Sequence, residues 1–445
     1  MPAPRALRHP ARLLPLALAL AIGVGTALLT LPAARADGTE TPVLTALFTA
    51  TSAVCVTGLT VTDTATYWSP FGHVVIISLV QIGAFGILGL ATLIAVFVTR
   101  RLGLTTRLVA QAETKALELG EVTRILVRVA VIMMTVEALV ALLLALRLGF
   151  GYGYSAGEAA WYGVFHSIAA FGNAGFSLYP DSLTRFVTDP WICLPVAGAA
   201  ILGGIGFPVL LELVRNYRTP RRWSLHTKLT LMGTSVLLVV GTGLILTTEW
   251  SNPGTLGPLG VPGKLLAGFF QAMTPRSVGF QTVDYDAMNV ETWAITTALM
   301  FIGGGSASTA GGIKVSTFFL LGFVILAEVR GDRDVTIFDR RLTAGAQRQA
   351  LAIALLGVGV IGVGTLLLLS MTSLPLDRAL FEVTSAASTT GLTTGITGDL
   401  PEPARLLLVV LMYVGRVGPA VAAAALALRS RQRLYRLPEG RPIIG

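Results

Sequence analysis

Charge is scarce in this chain. Only 13% of its 445 residues are Asp, Glu, Lys or Arg, against about 25% in a soluble globular domain, so no sizeable soluble domain is left over. Cysteine is rarer still. Cys55 and Cys193 lie in or near apolar segments and give neither a disulfide framework nor a metal-ligand spacing; they read as buried free thiols. The four histidines, His9, His73, His166 and His226, are scattered, and no catalytic set is present. GGGSAS at Gly303–Ser308 is not a phosphate loop, because no strand precedes it and no Walker lysine spacing follows. An intramembrane enzyme would need catalytic polar residues facing one cavity, and neither that reading nor a plain membrane anchor finds support here.

What is present is apolar: 53% hydrophobic residues and a mean hydropathy of +0.73, the composition of a polytopic membrane protein. The chain is organised around Phe48–Asp63, FTATSAVCVTGLTVTD. Its apolar part, Thr41–Val56, would rise about 24 Å as helix, short of a hydrocarbon core of roughly 30 Å. The Thr-Gly-Leu-Thr run that follows continues a helix poorly. A short helix that stops at membrane depth and hands over to extended backbone is a pore loop, tolerated only where it lines water or protein.

The phrase recurs. Phe48, Phe165, Phe269 and Phe381 each stand ten residues before a glycine, and Gly58, Gly175, Gly279 and Gly391 are each followed by Leu or Phe. The glycines fall 117, 104 and 112 residues apart, which predicts an all-α membrane protein of four pseudo-fourfold repeats of helix, pore loop and helix. The repeats are 1–99, 100–216, 217–330 and 331–445, with eight spanning helices and four re-entrant pore helices. Singly, each glycine reads as a helix C-cap; four in matched context point to a ring. A cation leaving water must exchange its hydration shell for other oxygens, which backbone carbonyls can supply. The candidates are Val56–Thr57–Gly58, Asn173–Ala174–Gly175, Ser277–Val278–Gly279 and Thr389–Thr390–Gly391.

Along the chain, Leu13–Leu31 follows Arg5, Arg8 and Arg12 and ends in LPAARADG. It resembles a signal peptide, but its apolar run is long for one and the repeat needs a first helix there, so a retained helix is expected. Pro70–Val98 is the next span, and Arg100–Arg128 a basic amphipathic connector. Repeat two has a helix over about Ile125–Leu148, a pore helix capped by Ser155 and Glu158 in an S-x-x-E box, and a helix over about Trp191–Val214. Arg215–Lys228 is basic again. Repeat three has helices over Leu229–Thr247 and from Gly263, then one from about Thr292 that breaks at Phe301–Lys314 and resumes over Val315–Val329. Repeat four has Ala350–Met371, a pore helix over Leu376–Ala387, and Arg405–Leu428. The N-terminus, the inter-repeat connectors and the C-terminal tail hold 24 of the 33 Lys and Arg, which places both termini in the cytoplasm. The net charge of +9 is therefore a topology signal with some contact to anionic lipid, and no nucleic-acid partner is expected.

The run Gly303–Lys314 would be costly facing lipid. Arg416 lies in the last helix, where a cation costs at least about 2.5–3.5 kcal/mol unless paired or hydrated; it is expected to meet the loop's carbonyls or a carboxylate, with snorkelling as the plain alternative. Lys314 is divided between the same role and snorkelling. Glu137 reads as a bundle-interior carboxylate with a packing role.

VCVTGLT (Val54–Thr60), FGNAGFS (Phe171–Ser177), RSVGFQT (Arg276–Thr282), STTGLTTG (Ser388–Gly395), GGGSASTAGGIK (Gly303–Lys314) and YVGRVGP (Tyr413–Pro419) together resemble the Trk/Ktr/HKT superfamily of potassium transporters over nearly the whole chain. Ala84 in QIGAFG stands where the family often has a further glycine. The start at the first repeat and the ending LPEGRPIIG look like the Ktr-type pore subunit. In the family a serine in place of glycine at the first filter position goes with sodium transport, so Gly58 implies potassium as the transported ion; the resemblance leaves sodium open as an activator or co-ion. A sodium-selective or poorly selective transporter is the alternative. It further implies an intramembrane gate built from Gly303, Gly304, Gly305, Ser306, Ser308, Thr309, Gly311, Gly312, Lys314 and Arg416. A homodimer in the bacterial plasma membrane is implied, seated on a cytosolic ring of nucleotide-binding (RCK-type) regulatory subunits. No cofactor is expected in this chain; ATP/ADP or NAD would act through that partner.

Overall fold

Prolines and capping side chains set where the helices start. The computed structural model describes residues 10–101, 119–338 and 340–428. Its helices are α1 (Pro10–Leu29), α2 (Val43–Val54), α3 (Thr64–Tyr67), α4 (Pro70–Arg101), α5 (Leu119–Tyr152), α6 (Ala156–Gly172), α7 (Pro190–Ile205) and α8 (Phe207–Asn216). There follow α9 (Leu225–Glu249), α10 (Val261–Met273), α11 (Val290–Phe301), α12 (Val315–Arg330), α13 (Ala344–Met371), α14 (Leu376–Ala387) and α15 (Glu402–Leu428). Pro190 opens α7, where its missing N–H costs no intrahelical bond. Asp63, Asp189, Ser224 and Thr343 each accept an amide from the first turn of α3, α7, α9 and α13. At α6 the expected box forms in full: the Glu158 amide donates to Ser155 Oγ, and the Ser155 amide donates to the Glu158 carboxylate. Ser155→Ala should lower stability by about 1 kcal/mol, read as a lower melting temperature in detergent. An unchanged melt would mean that packing alone holds the start of α6.

The short helices α2, α6, α10 and α14 pack between longer ones: α2 against α1 and α4, α6 against α5 and α7, α10 against α9 and α7, α14 against α13 and α15. Phe48, Phe165 and Phe381 are fully buried in this packing. In the third unit Phe270 is fully buried and Phe269 only partly, so the core position there is shifted by one residue from the sequence alignment. The last helix closes back on the first, the Tyr413 hydroxyl donating to the Pro15 carbonyl at 2.8 Å.

Three helix stretches among the described residues, Leu126–Tyr152, Leu225–Glu249 and Ala344–Met371, are long and apolar enough to cross a membrane. The pair α7 and α8 would make a fourth, but it is bent by 102°. That bend corrects the expectation of one continuous helix over Trp191–Val214. Gly206 sits between the two parts at φ 92°, ψ 150°, backbone that an L side chain rarely adopts. Two short antiparallel strands, β1 (Thr336–Ile337) and β2 (Arg340–Arg341), follow α12, a small departure from an all-α fold. Of the expected Arg100–Arg128 connector, α4 and α5 take both ends as helix. Residues 102–118 and the basic C-terminal tail from residue 429 lie outside the described residues, as does the N-terminal basic stretch before Pro10.

Candidate functional site

Each short helix ends within six residues of its glycine, and its C-terminal carbonyls bring partial negative charge there. The four turns that follow share one backbone shape. Val56, Asn173, Ser277 and Thr389 have φ of 55°, 60°, 66° and 47°, and two residues later Gly58, Gly175, Gly279 and Gly391 have φ of 90°, 63°, 85° and 88°. Positive φ is uncommon for any residue but glycine and a genuine outlier for β-branched Val and Thr. Three of the turns are closed by the amide after the first left-handed residue, which reaches back five positions: Thr57 to the Ser52 carbonyl (2.7 Å), Ala174 to Ala169 (2.8 Å) and Thr390 to Ser385 (2.8 Å). In the first and fourth, a serine also accepts the glycine's amide, Ser52 Oγ from Gly58 at 3.0 Å and Ser385 Oγ from Gly391 at 3.1 Å.

The four turns, remote in sequence, are neighbours in space, and they close a circle. A Cβ placed on Gly58 would lie 3.2 Å from Gly175 Cα, one on Gly175 would lie 2.8 Å from Gly279 Cα, and one on Gly279 would lie 2.5 Å from the Thr390 carbonyl oxygen. One on Gly391 would lie 3.0 Å from Gly58 Cα. All twelve candidate residues therefore belong to one cluster. Except for Gly58 and Gly175 each of them is buried.

The irregular run between α11 and α12 packs directly against two of these turns and against the bend at Gly206. Ser277 Oγ donates to the Thr389 carbonyl at 2.7 Å and accepts the Gly311 amide at 2.8 Å. Thr309 Oγ1 donates to the Phe171 carbonyl at 3.2 Å. On the other side the Gly305 amide donates to the Gly204 carbonyl (2.7 Å), Thr309 to Gly203 (3.3 Å), and the Phe207 amide to the Ala307 carbonyl (3.1 Å). The run is closed on itself by Gly303 to Ile313 (3.0 Å) and Val315 to Gly304 (2.9 Å), and Ser308 Oγ donates to the Gly305 carbonyl at 2.7 Å. Ser306 lies against Ser316, their hydroxyls 3.3 Å apart. Gly312 takes φ 66° at the return.

Three cations surround this assembly. Arg416 is buried and donates through Nη1 to the Thr309 carbonyl. Lys314 donates from Nζ to the Ala310 carbonyl at 2.7 Å. Arg276, three residues before Gly279, is buried and donates to Thr234 Oγ1 at 3.2 Å. Among the described residues none of the three forms an ion pair with a carboxylate; backbone carbonyls and hydroxyls take that place. Glu137 is buried and accepts from Gln81 Nε2 at 3.0 Å. Both cysteines are buried and free.

Several participants were not legible beforehand. The left-handed residues two places before each glycine had no sequence signal except Asn173, a residue type that tolerates this conformation. The bend at Gly206 had one: GGIGFP places a proline just inside a new helix start. The hydroxyl of Ser277, which joins two turns to the irregular run, gave none.

The TrkH family, described as cation transport protein, matches residues 17–431. The Ktr system potassium uptake protein B of Bacillus subtilis is 38% identical over 438 residues, covering 98% of this chain and 97% of that protein. The potassium/sodium uptake protein NtpJ of Enterococcus hirae is 32% identical, covering 98% and 97%. The crystal structure of the potassium transporter TrkH from Vibrio parahaemolyticus superposes with a TM-score of 0.71 at 18% identity, covering 96% of this chain and 86% of that one, a likeness of fold.

Proposed function

From the premise that the chain belongs to the TrkH family of cation transport proteins, we propose that it is the potassium-conducting membrane subunit of a Ktr-like uptake system. The observation that carries this reading is the closed circle of four left-handed glycine turns at the ends of four short helices. In this reading the carbonyls of Val56–Gly58, Asn173–Gly175, Ser277–Gly279 and Thr389–Gly391 replace the hydration shell of potassium. The four units each cross the membrane twice, with pore loops entering from outside and both termini in the cytoplasm. The run Gly303–Lys314, held by Arg416, obstructs the path below the turns and adds positive charge that opposes cation passage when closed. The pore subunit pairs as a homodimer and takes nucleotide control from a cytosolic RCK-type ring, for which the exposed Arg215, Arg218, Arg221 and Arg222 offer a basic face. Transport is driven by membrane potential and ion gradients, and the chain itself holds no cofactor.

A second reading, sodium-selective or poorly selective transport, is favoured by the likeness to a protein named for potassium and sodium uptake. Expression in potassium-transport-deficient cells, with and without a nucleotide-binding regulatory subunit, tests both. Growth on low potassium and uptake in the order potassium, rubidium, then sodium are expected. Sodium uptake equal to or above that of potassium would replace the first reading with the second, and no flux under any condition would sink both.

A further inference from the structure

Three of the four short helices carry a buried polar side chain that reaches over the stretch leaving the adjacent turn. On α14 it is Glu382, fully buried. One carboxylate oxygen accepts from Thr393 Oγ1 at 2.9 Å, the other from the Thr397 hydroxyl, and the two hydroxyls lie 2.8 Å apart. Thr393 Oγ1 in turn accepts the Gly395 amide at 3.1 Å. On α6 the equivalent is His166, buried, with Nδ1 2.8 Å from the Tyr162 carbonyl and Nε2 3.1 Å from Ser177 Oγ. On α10 it is Gln271, whose amide meets the Thr282 hydroxyl at 3.2 Å and the Tyr285 hydroxyl at 2.6 Å.

The spacing repeats as well. Glu382 and His166 stand nine residues before Gly391 and Gly175, and their partners Thr393 and Ser177 stand two residues after. Gln271 and Thr282 are one residue out of step, like Phe270. The first unit has threonines, Thr49 and Thr60, at the two places.

Burying a carboxyl is costly unless its oxygens are bonded, and among the described residues no Lys or Arg pairs with Glu382. Its bonds go to two threonines of the segment that leaves the fourth turn. That turn is thus held on both sides: Ser385 takes the Gly391 amide from the helix side, and Glu382 fixes the outgoing chain. A binding constellation keeps its productive geometry when supporting side chains and hydrogen bonds hold its groups in place.

Resting on the potassium-filter reading above, we propose that Glu382 is a positioning residue for ion selectivity, acting through Thr393 and Thr397 on the Thr390–Gly391 carbonyls. It acts as a hydrogen-bonding strut and not as a charge on the ion. His166 and Gln271 serve the second and third turns in the same way.

The test uses the full-length chain in potassium-transport-deficient cells, measuring potassium, rubidium and sodium uptake normalised to protein in the membrane. Glu382→Ala and the near-isosteric double variant Thr393→Val/Thr397→Val should each lower the potassium-to-sodium ratio about tenfold, while Glu382→Gln, which keeps the shape and can bond both hydroxyls once Thr397 turns to accept from its amide and donate to Thr393, should stay within about twofold of the parent. An unchanged ratio in the threonine double variant overturns the proposal, even if Glu382→Ala fails to reach the membrane. Equal loss in Glu382→Gln and Glu382→Ala also overturns it, since that would make the charge the active property. Failure of the filter reading itself looks different: the parent chain would show no preference for potassium, or Gly391→Ala would leave uptake at the parental level.

Discussion

Gly391→Ala should cut potassium uptake about 100-fold or more, because an L residue held in such backbone costs about 1–3 kcal/mol and a tenfold change in an equilibrium is about 1.4 kcal/mol. Strain is only part of the cause. Gly391 has φ 88°, and a Cβ there would fall on the Thr57 carbonyl and lie 3.0 Å from Gly58 Cα. Neither atom can move aside without displacing the first turn, whose carbonyl is one of those proposed to bind the ion. Two controls separate the causes. Gly395 has φ 86° but open space around its would-be Cβ, so Gly395→Ala carries strain without the clash. Gly359, within α13, has neither positive φ nor a close neighbour, so Gly359→Ala should leave uptake unchanged. Rubidium uptake per amount of protein in the membrane is the measurement. Parental uptake in Gly391→Ala would mean that the circle of turns is not the ion path.

Shortening the irregular run by deleting Gly304–Gly311 should raise potassium flux if the run is a gate. The structure adds a complication: the deletion removes the Gly311 amide that Ser277 Oγ accepts, and Ser277 also donates to the Thr389 carbonyl. Loss of that bond loosens the third and fourth turns, so the deletion should raise flux and reduce selectivity together. Arg416→Gln isolates the gate. A hydrogen bond to a charged group contributes about 1.5–3 kcal/mol, so releasing the Thr309 carbonyl shifts a closed-to-open equilibrium by roughly 10- to 150-fold at most. Flux should rise by up to that factor at an unchanged potassium-to-sodium ratio. Unchanged flux in both variants would remove the gating role from this segment.

The two variants differ because of a contact that no reading of the chain could supply. Gly311 and Ser277 are separated by 34 positions, Ser277 and Thr389 by 112. A hydroxyl on a loop has no periodicity, and its partners are set by how whole units pack. Glu382 and His166 show the same limit. A lone histidine in an apolar segment reads as scattered, and becomes part of a pattern only when its partner Ser177 is seen beside it.

By itself the sequence determined the apolar class, the four glycine-centred turns and most helix limits, down to Leu376–Ala387. It did so because those features are local: hydrophobic length, proline and serine starts, and glycine where a helix must end. Tertiary structure alone decided which atoms of neighbouring turns touch, that Val56, Asn173, Ser277 and Thr389 adopt left-handed backbone, and that the helix after the second turn bends at Gly206 to receive the irregular run. Each of these depends on atoms from another unit filling the space or taking the hydrogen bond, a condition that exists only once the chain has folded back on itself.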